Sequence, residues 1–369
     1  MADLLGITWP YDIKTLLYGA IFIMLVTTII LLFTLAAHTT YIELQEERFK
    51  KLQDFYERAL LQKLADSSFH IKIPHSKVEF DALAEVLSQM IAGASGEIEK
   101  LLKEYARELG VAEFYKNMVG SRSWLKRFIA VEKLGLLKLP EMRAVFYHVL
   151  ESEKDTGVLA KAVWAISFTL DEADLDVVNR VLDRPFFMSA KFAEYIYINI
   201  INAFRHRGME ARFVSYLKFI KDDKGISGAL KRAIIEACGS AKLYSAKDIV
   251  MDYYRQFNQE PQMRITCLRA LGELGGKDVL EAIRSGLNDA DWRVRAVAAK
   301  SASICPEAIA GDLRACLYDS NYNVRLNAAL SLSKLGDIGL SALEHEIDSD
   351  DRFVYDVTRF VLKELSLRA

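Results

Sequence analysis

Six histidines and four cysteines are the residues in this chain that could carry metal or acid–base chemistry, and neither set is spaced for it. Cys238, Cys267, Cys305 and Cys316 all lie in the C-terminal half, without CxxC spacing, each inside an apolar helical pattern such as Ala-Ile-Ile-Glu-Ala-Cys238. Zinc needs paired ligands at short spacing, so the pattern reads as buried free thiols. His345-Glu346 is a single His-Glu pair and reads as a solvated helix face. A glycine-rich phosphate loop, a GxSxG elbow and an HExxH helix are absent from the sequence, and the aspartates recur where helices begin, as caps. The expectation is a chain without catalytic, cofactor-binding or metal-binding residues, and without a cofactor.

Two groups of basic residues could instead bind anions. Arg205, His206 and Arg207 form a turn between two apolar helical stretches, with Arg212 just beyond, among aromatics running from Phe186 and Phe187 to Phe219. Helical spacing assigns most of those aromatics to a core, which leaves Arg205, His206, Arg207 and Arg212 as candidate contacts to an acidic partner or anionic lipid. Arg295 and Arg325 form the second group. Each follows an acidic turn, and pairing with Asp289, Asp319 or Asp350 is the expected use of their forked donors.

The elements that must position these residues are helices. The chain has 369 residues, 51% of them hydrophobic and 27% charged, with 19 glycines and six prolines, which leaves little material for turn-rich β architecture. A net charge of -2 supplies no clustered basic excess for phosphate neutralisation, so no nucleic-acid partner is expected. From Leu16 to Ala37 the chain reads LLYGAIFIMLVTTIILLFTLAA without a charge, enough to cross a hydrocarbon layer of about 30 Å. Asp3 and Asp12 precede it where a cleaved signal peptide would carry a basic region. Trp9, Tyr11 and Tyr18 read as membrane-interface anchors, and Pro10 suits a first helical turn. Arg48, Lys50 and Lys51 follow the span while Lys14 alone precedes it, so the positive-inside rule puts the C-terminal bulk in the cytoplasm. The expected localisation is a single-pass protein of a bacterial inner membrane with its N-terminus outside.

Ile42, Gln45, Phe49, Leu52, Tyr56 and Ala59 then step by three and four, with Glu46 facing Lys50 and Glu47 facing Lys51. The helix is expected to continue as a stalk, either in a coiled coil or lying on the domain that follows. Residues 67–74, Ser-Ser-Phe-His-Ile-Lys-Ile-Pro, break it. The expected organisation is an anchor over residues 1–40, a stalk over 41–66, a linker and helical cap over 67–119, and a solenoid over 120–369.

The solenoid follows from self-comparison. Asp291-Trp-Arg-Val-Arg295, Asn321-Tyr-Asn-Val-Arg325 and Asp351-Arg-Phe-Val-Tyr355 recur at a period of about 30 residues, which means stacked helix pairs. Each opens on a residue able to cap free amides, and the first two continue into Ala298-Ala299 or Ala328-Ala329, small enough for close approach of helices. Second helices are expected over Val279–Leu287, Ile309–Leu317 and Leu340–Ile347. The pattern Asp-x-x-Val-Arg, then Ala-Ala, then Leu-Gly resembles HEAT repeats, particularly the short bacterial form also seen in phycobilin lyase subunits, over about residues 260–365. Upstream the rhythm continues through Leu125–Ala130, Leu159–Trp164 and Leu230–Ile235. The fold expected is all-α: an α-solenoid of HEAT-like repeats behind one transmembrane helix and its stalk.

The resemblance implies an extended surface for holding other proteins, and the span places it at a membrane. The functional expectation is a membrane-anchored scaffold or adaptor, an accessory subunit of a membrane enzyme complex, with envelope polysaccharide synthesis or export as the setting and membrane-associated proteins and the bilayer as partners. The alternative is an enzyme or cofactor-binding protein whose site is assembled across repeats. HEAT-containing deoxyhypusine hydroxylase binds its di-iron centre with several His-Glu pairs, of which this chain has one. HEAT-like DNA glycosylases use a strongly basic face, which the charge balance does not supply.

Overall fold

The structure is a computed structural model that describes residues 13–170, 174–184, 189–305 and 307–366; Trp9, Pro10, Tyr11, Phe186, Phe187 and Pro306 lie outside them. The described residues form helices and the turns between them, with no strand. Contacts divide the chain into two compact units, residues 1–117 and 118–369.

The first unit holds α1 (Ile13–Ala65), α2 (Lys77–Gly93), α3 (Gly96–Glu108) and most of α4 (Val111–Val119). α1 is one unbroken helix of 53 residues, and every residue from 15 to 48 is exposed. It is the one helix among the described residues long and apolar enough to cross a membrane. Its far end behaves differently: Tyr56, Ala59 and Leu60 are buried, and this end packs on α2. Beyond Ala65 the chain leaves helical geometry as far as Ser76, whose hydroxyl accepts from the Glu79 amide while the Glu79 carboxylate accepts from the Ser76 amide. This reciprocal cap starts α2. Gly96 and Gly110, both at positive φ, mark the next two breaks.

The second unit alternates between two layers. α5 (Trp124–Leu136), α7 (Thr156–Ile166), α9 (Ala190–His206), α11 (Gly228–Ser240), α13 (Pro261–Leu274), α15 (Trp292–Ser301), α17 (Tyr322–Leu332) and α19 (Arg352–Ser366) form one layer. α6 (Arg143–Ser152), α8 (Leu175–Leu182), α10 (Glu210–Asp222), α12 (Lys247–Gln256), α14 (Leu280–Leu287), α16 (Ala310–Cys316) and α18 (Gly336–Glu344) form the other. The unit is an α-solenoid. Helices of the first layer pack closely on one another, and those of the second are more widely separated. α18 begins at Gly336, well before the expected Leu340, and ends at Glu344.

Small residues set the close spacing. A Cβ on Gly135 would stand 2.7 Å from Ala165 Cβ, one on Gly239 2.7 Å from Ala270 Cα, and one on Gly272 2.8 Å from Ser301 Cβ. Counted from each helix's N-cap these are equivalent crossings, between α5 and α7, α11 and α13, and α13 and α15. The crossing of α7 with α9 is the exception: Ser167 and Asn199 take the equivalent positions, and these two helices stand further apart. Cys238, Cys267, Cys305 and Cys316 are free and buried as expected, and burial pushes the Cys238 thiol up to about 12.

Candidate functional site

The most regular polar feature of the solenoid is a ladder of arginines at the fourth residue after the N-cap of first-layer helices. Arg295 donates from Nη1 to the carbonyls of Asp289 and Ala290, and grips Asp319 of the next turn through Nε at 2.6 Å and Nη2 at 3.0 Å. Arg127 repeats the pattern on the carbonyls of Ser121 and Arg122 and on Glu153, at 2.6 and 3.0 Å. Arg264 holds Asp289, with Nε 2.8 Å and Nη2 2.9 Å from its oxygens. Each acceptor carboxylate also takes the backbone N–H of the following N-cap: Asp155 on Glu153, Asp291 on Asp289, Asn321 on Asp319. One anion thus ties a helix start to the helix before it. Hydrogen bonding from Arg127 holds Glu153 down to about 2. Burial works to raise Asp319, but the bonds from Arg295 and the Asn321 amide outweigh it and leave that carboxyl below its ordinary value.

Arg325 departs from the expected pairing. Its Nη1 donates to the carbonyls of Asp319 and Ser320 as the pattern requires, yet its buried Nε has no hydrogen-bond partner. The carboxylate position of the next turn is Ser349, and Asp350 is one residue out of register. The second layer has its own pairs: Arg143 and Tyr147 reach Asp174, and Arg314 and Tyr318 both donate to Glu346. Glu346 is 3% exposed. The reading of His345-Glu346 as a solvated face therefore holds for His345 alone.

Of the basic turn, Arg205 spends its donors inside the chain, on Glu210 at 2.7 Å, Asn202 at 3.1 Å and the Ala241 carbonyl at 2.9 Å. Arg207 donates to the carbonyls of Ala203 and Leu170 and lies 5.4 Å from the Phe204 ring centre. Both side chains latch neighbouring helix pairs together. His206 and Arg212 are exposed, and Arg212 shares the outer face of α10 with Lys218 and Phe219. Tyr197, Phe204, Phe213 and Tyr216 are buried, whereas Tyr195 and Phe219 are exposed. Arg205 also borders an open groove of about 500 Å³, with Ile198, Asn202, Glu210, Lys242 and Tyr244. Tyr18 is exposed on α1.

A second feature escaped the sequence reading. Phe128, Lys161, Trp164 and Tyr195 run as a strip across α5, α7 and α9. Lys161 Nζ lies 5.1 Å from the Phe128 ring centre and 4.8 Å from that of Trp164, and 2.5 Å from Glu132. Trp164 Nε1 donates across the wider crossing to Tyr195 Oη at 3.3 Å. Rings and a cation arranged this way offer an amphipathic contact surface. In sequence, Lys161 and Trp164 stood only for helical rhythm. Among the described residues no group of three or more His, Cys, Asp or Glu is placed to hold a metal.

Residues 223–303 match the family model of HEAT repeats. They span α11 to α15, where the arginine ladder and the glycine crossings are most regular, and the unit is a HEAT-repeat solenoid. None of the curated proteins matches the chain. Among solved structures it is similar to an engineered protein, at 16% identity over 84% of this chain and 88% of the other, with a TM-score of 0.36. Human deoxyhypusine hydroxylase in complex with glycerol is similar at 15% identity over 78% of this chain and 97% of that one, with a TM-score of 0.26. Importin beta is similar at 11% identity over 82% of this chain and 48% of its own, with a TM-score of 0.37; the chain spans about half its length.

Proposed function

We propose that this chain is a membrane-anchored adaptor, without catalytic activity of its own, whose HEAT solenoid binds partner proteins. The observation that carries the reading is the pairing, in one chain, of an apolar helix with every residue from 15 to 48 exposed and a solenoid with a part-exposed aromatic and basic strip that ends on the exposed Tyr195. Apolar surface left in water forfeits about 25 cal/mol per Å², so a bilayer is the environment that accounts for the first half of α1. Solenoids in turn bind through extended surfaces made of successive repeats, and the Phe128–Tyr195 strip spans three helices of one layer. The basic residues after the span support a cytoplasmic solenoid in a bacterial inner membrane. Within that reading the chain serves as an accessory subunit of a membrane enzyme complex, with envelope polysaccharide synthesis or export as the specific setting.

Two measurements test it. Full-length chain should stay in the membrane pellet through a carbonate wash, while a variant lacking residues 1–40 should move to the soluble fraction; an unchanged distribution overturns the anchor. A photo-crosslinker at Trp164 should then trap a discrete partner in native membranes, and one at the buried Val163 should not. Arg212→Glu places a charge reversal on the second layer and separates the two candidate surfaces. Loss of the Trp164 adduct in that variant would move the contact to α10, and equal labelling at Trp164 and Val163 would remove the docking role.

A further inference from the structure

The geometry points to Ser349 as a phosphorylation site, at which the phosphate supplies the anion that Arg325 lacks. Three rungs of the same ladder each bring a carboxylate to their arginine. In each, the atom facing the carboxylate is the arginine Nε: Arg127 on Glu153, Arg264 on Asp289, Arg295 on Asp319. Arg264 Nε and Arg325 Nε both lack an aligned hydrogen bond, but Arg264 Nε still stands 2.8 Å from an Asp289 oxygen, whereas Arg325, only 7% exposed, meets a serine where the carboxylate would be and keeps only the Nη1 bonds that the pattern prescribes. The Phe353 ring lies 4.9 Å from the guanidinium carbon, which meets the charge but offers no acceptor oxygen.

Ser349 stands where the carboxylates stand. The Asp351 amide donates to its Oγ at 3.3 Å, as the Asp155, Asp291 and Asn321 amides donate to theirs. A serine hydroxyl is one bond shorter than an aspartate and uncharged, so it takes the amide and leaves the guanidinium unmet. Phosphoserine has the reach of glutamate, with oxygens one atom beyond the third heavy atom of the side chain, and Glu153 already closes a rung with an arm of that length. The phosphate adds about 1.5 to 2 negative charges with three acceptor oxygens, suited to the forked donors of arginine. Like charge comes from Asp348, Asp350 and Asp351 in the same turn; Asp348 and Asp350 are exposed to water, and the amides of Phe353 and Val354 already occupy Asp351. Ser349 is part-exposed in that turn, within reach of a kinase whose substrate groove is basic. The kinase breaks the β–γ anhydride of ATP and forms the Ser349 Oγ–P bond; ADP leaves, and the hydroxyl proton passes to the kinase's base.

The closed rung would clamp α17 to the turn that starts α19. The test uses the full chain in detergent, with phosphoserine introduced at position 349 by encoded incorporation, and reads amide hydrogen exchange over α19. Exchange is expected to slow about tenfold relative to the unmodified chain, with the slowing lost in Arg325→Gln and reduced in Arg325→Lys, which keeps charge without the fork. Unchanged exchange, or slowing that persists in Arg325→Gln, overturns the rung. Incubation with ATP and a serine kinase specific for acidic flanks should place a phosphate on Ser349, located by peptide mapping to tell it from the acid-flanked Ser152 and absent from the same peptide of Ser349→Ala; a chain left unmodified at residue 349 overturns the site.

Discussion

At the scale of residues, the solenoid's polar chemistry goes into fastening one repeat to the next. Glu153 shows the consequence most clearly, because its ordinary value of 4.5 falls to about 2 under the hydrogen bonds from Arg127. Unfolded chain takes up that proton near pH 4.5 and folded chain only near 2, so the rung stabilises fully above pH 4.5 and is lost as pH falls through that window. Glu153→Gln should lower stability at pH 7 by about 1–3 kcal/mol, the cost of a weakened bond to a part-buried charge, and should flatten the acid limb of the melting curve between pH 4.5 and 2. Equal acid sensitivity in variant and parent would assign that limb to other carboxylates. The pairing of Arg295 with an acidic turn was legible in the repeat, because a period of about 30 residues sets the acidic turn of the next repeat, Asp319, beside it. Arg127–Glu153 was not, since glutamate replaces aspartate there and Ser123 replaces the acidic cap. Arg325 was misread because register, rather than proximity in sequence, decides which acid an arginine meets, and Asp350 is one residue off.

Among elements, helix spacing is governed by which residue meets which across a crossing. Gly239 would gain helix propensity on conversion to alanine, by up to about 1 kcal/mol. Its new Cβ would stand 2.7 Å from the Ala270 Cα, a backbone atom that cannot swing aside. Overpacking of this kind costs about 1–3 kcal/mol, so Gly239→Ala should lower the melting temperature, and a rise would show that α11 and α13 yield. The helices α13 to α19 were legible because capping residues and alanine pairs repeat with a period. Upstream the caps vary, and rhythm alone marked the helices. The strip of Phe128, Lys161, Trp164 and Tyr195 stayed hidden for a physical reason: its members come from three helices at different positions along each, and only the crossing angles bring them into line.

For the whole molecule, a stack in which each repeat touches its neighbours distributes stability locally. Asp319→Asn removes the charge that holds α15 to the start of α17, and it should speed amide exchange in α15 to α18 while leaving α5 and α7 as they were. Uniform acceleration along the unit would mean that the solenoid melts as one body. The other unit presents a different mechanical case. α1 runs without a break or proline from its apolar stretch to the buried Tyr56 and Leu60, so no joint separates the part suited to lipid from the part embedded in folded protein. From residue 38 to residue 65 the rise amounts to about 42 Å. A tilt of about 20°, ordinary for a single span, would sweep that end sideways by about 14 Å. Seated in a bilayer as proposed, α1 would be a lever as well as a tether, and a change in bilayer thickness or in helix neighbours would arrive at α2 as displacement and torque.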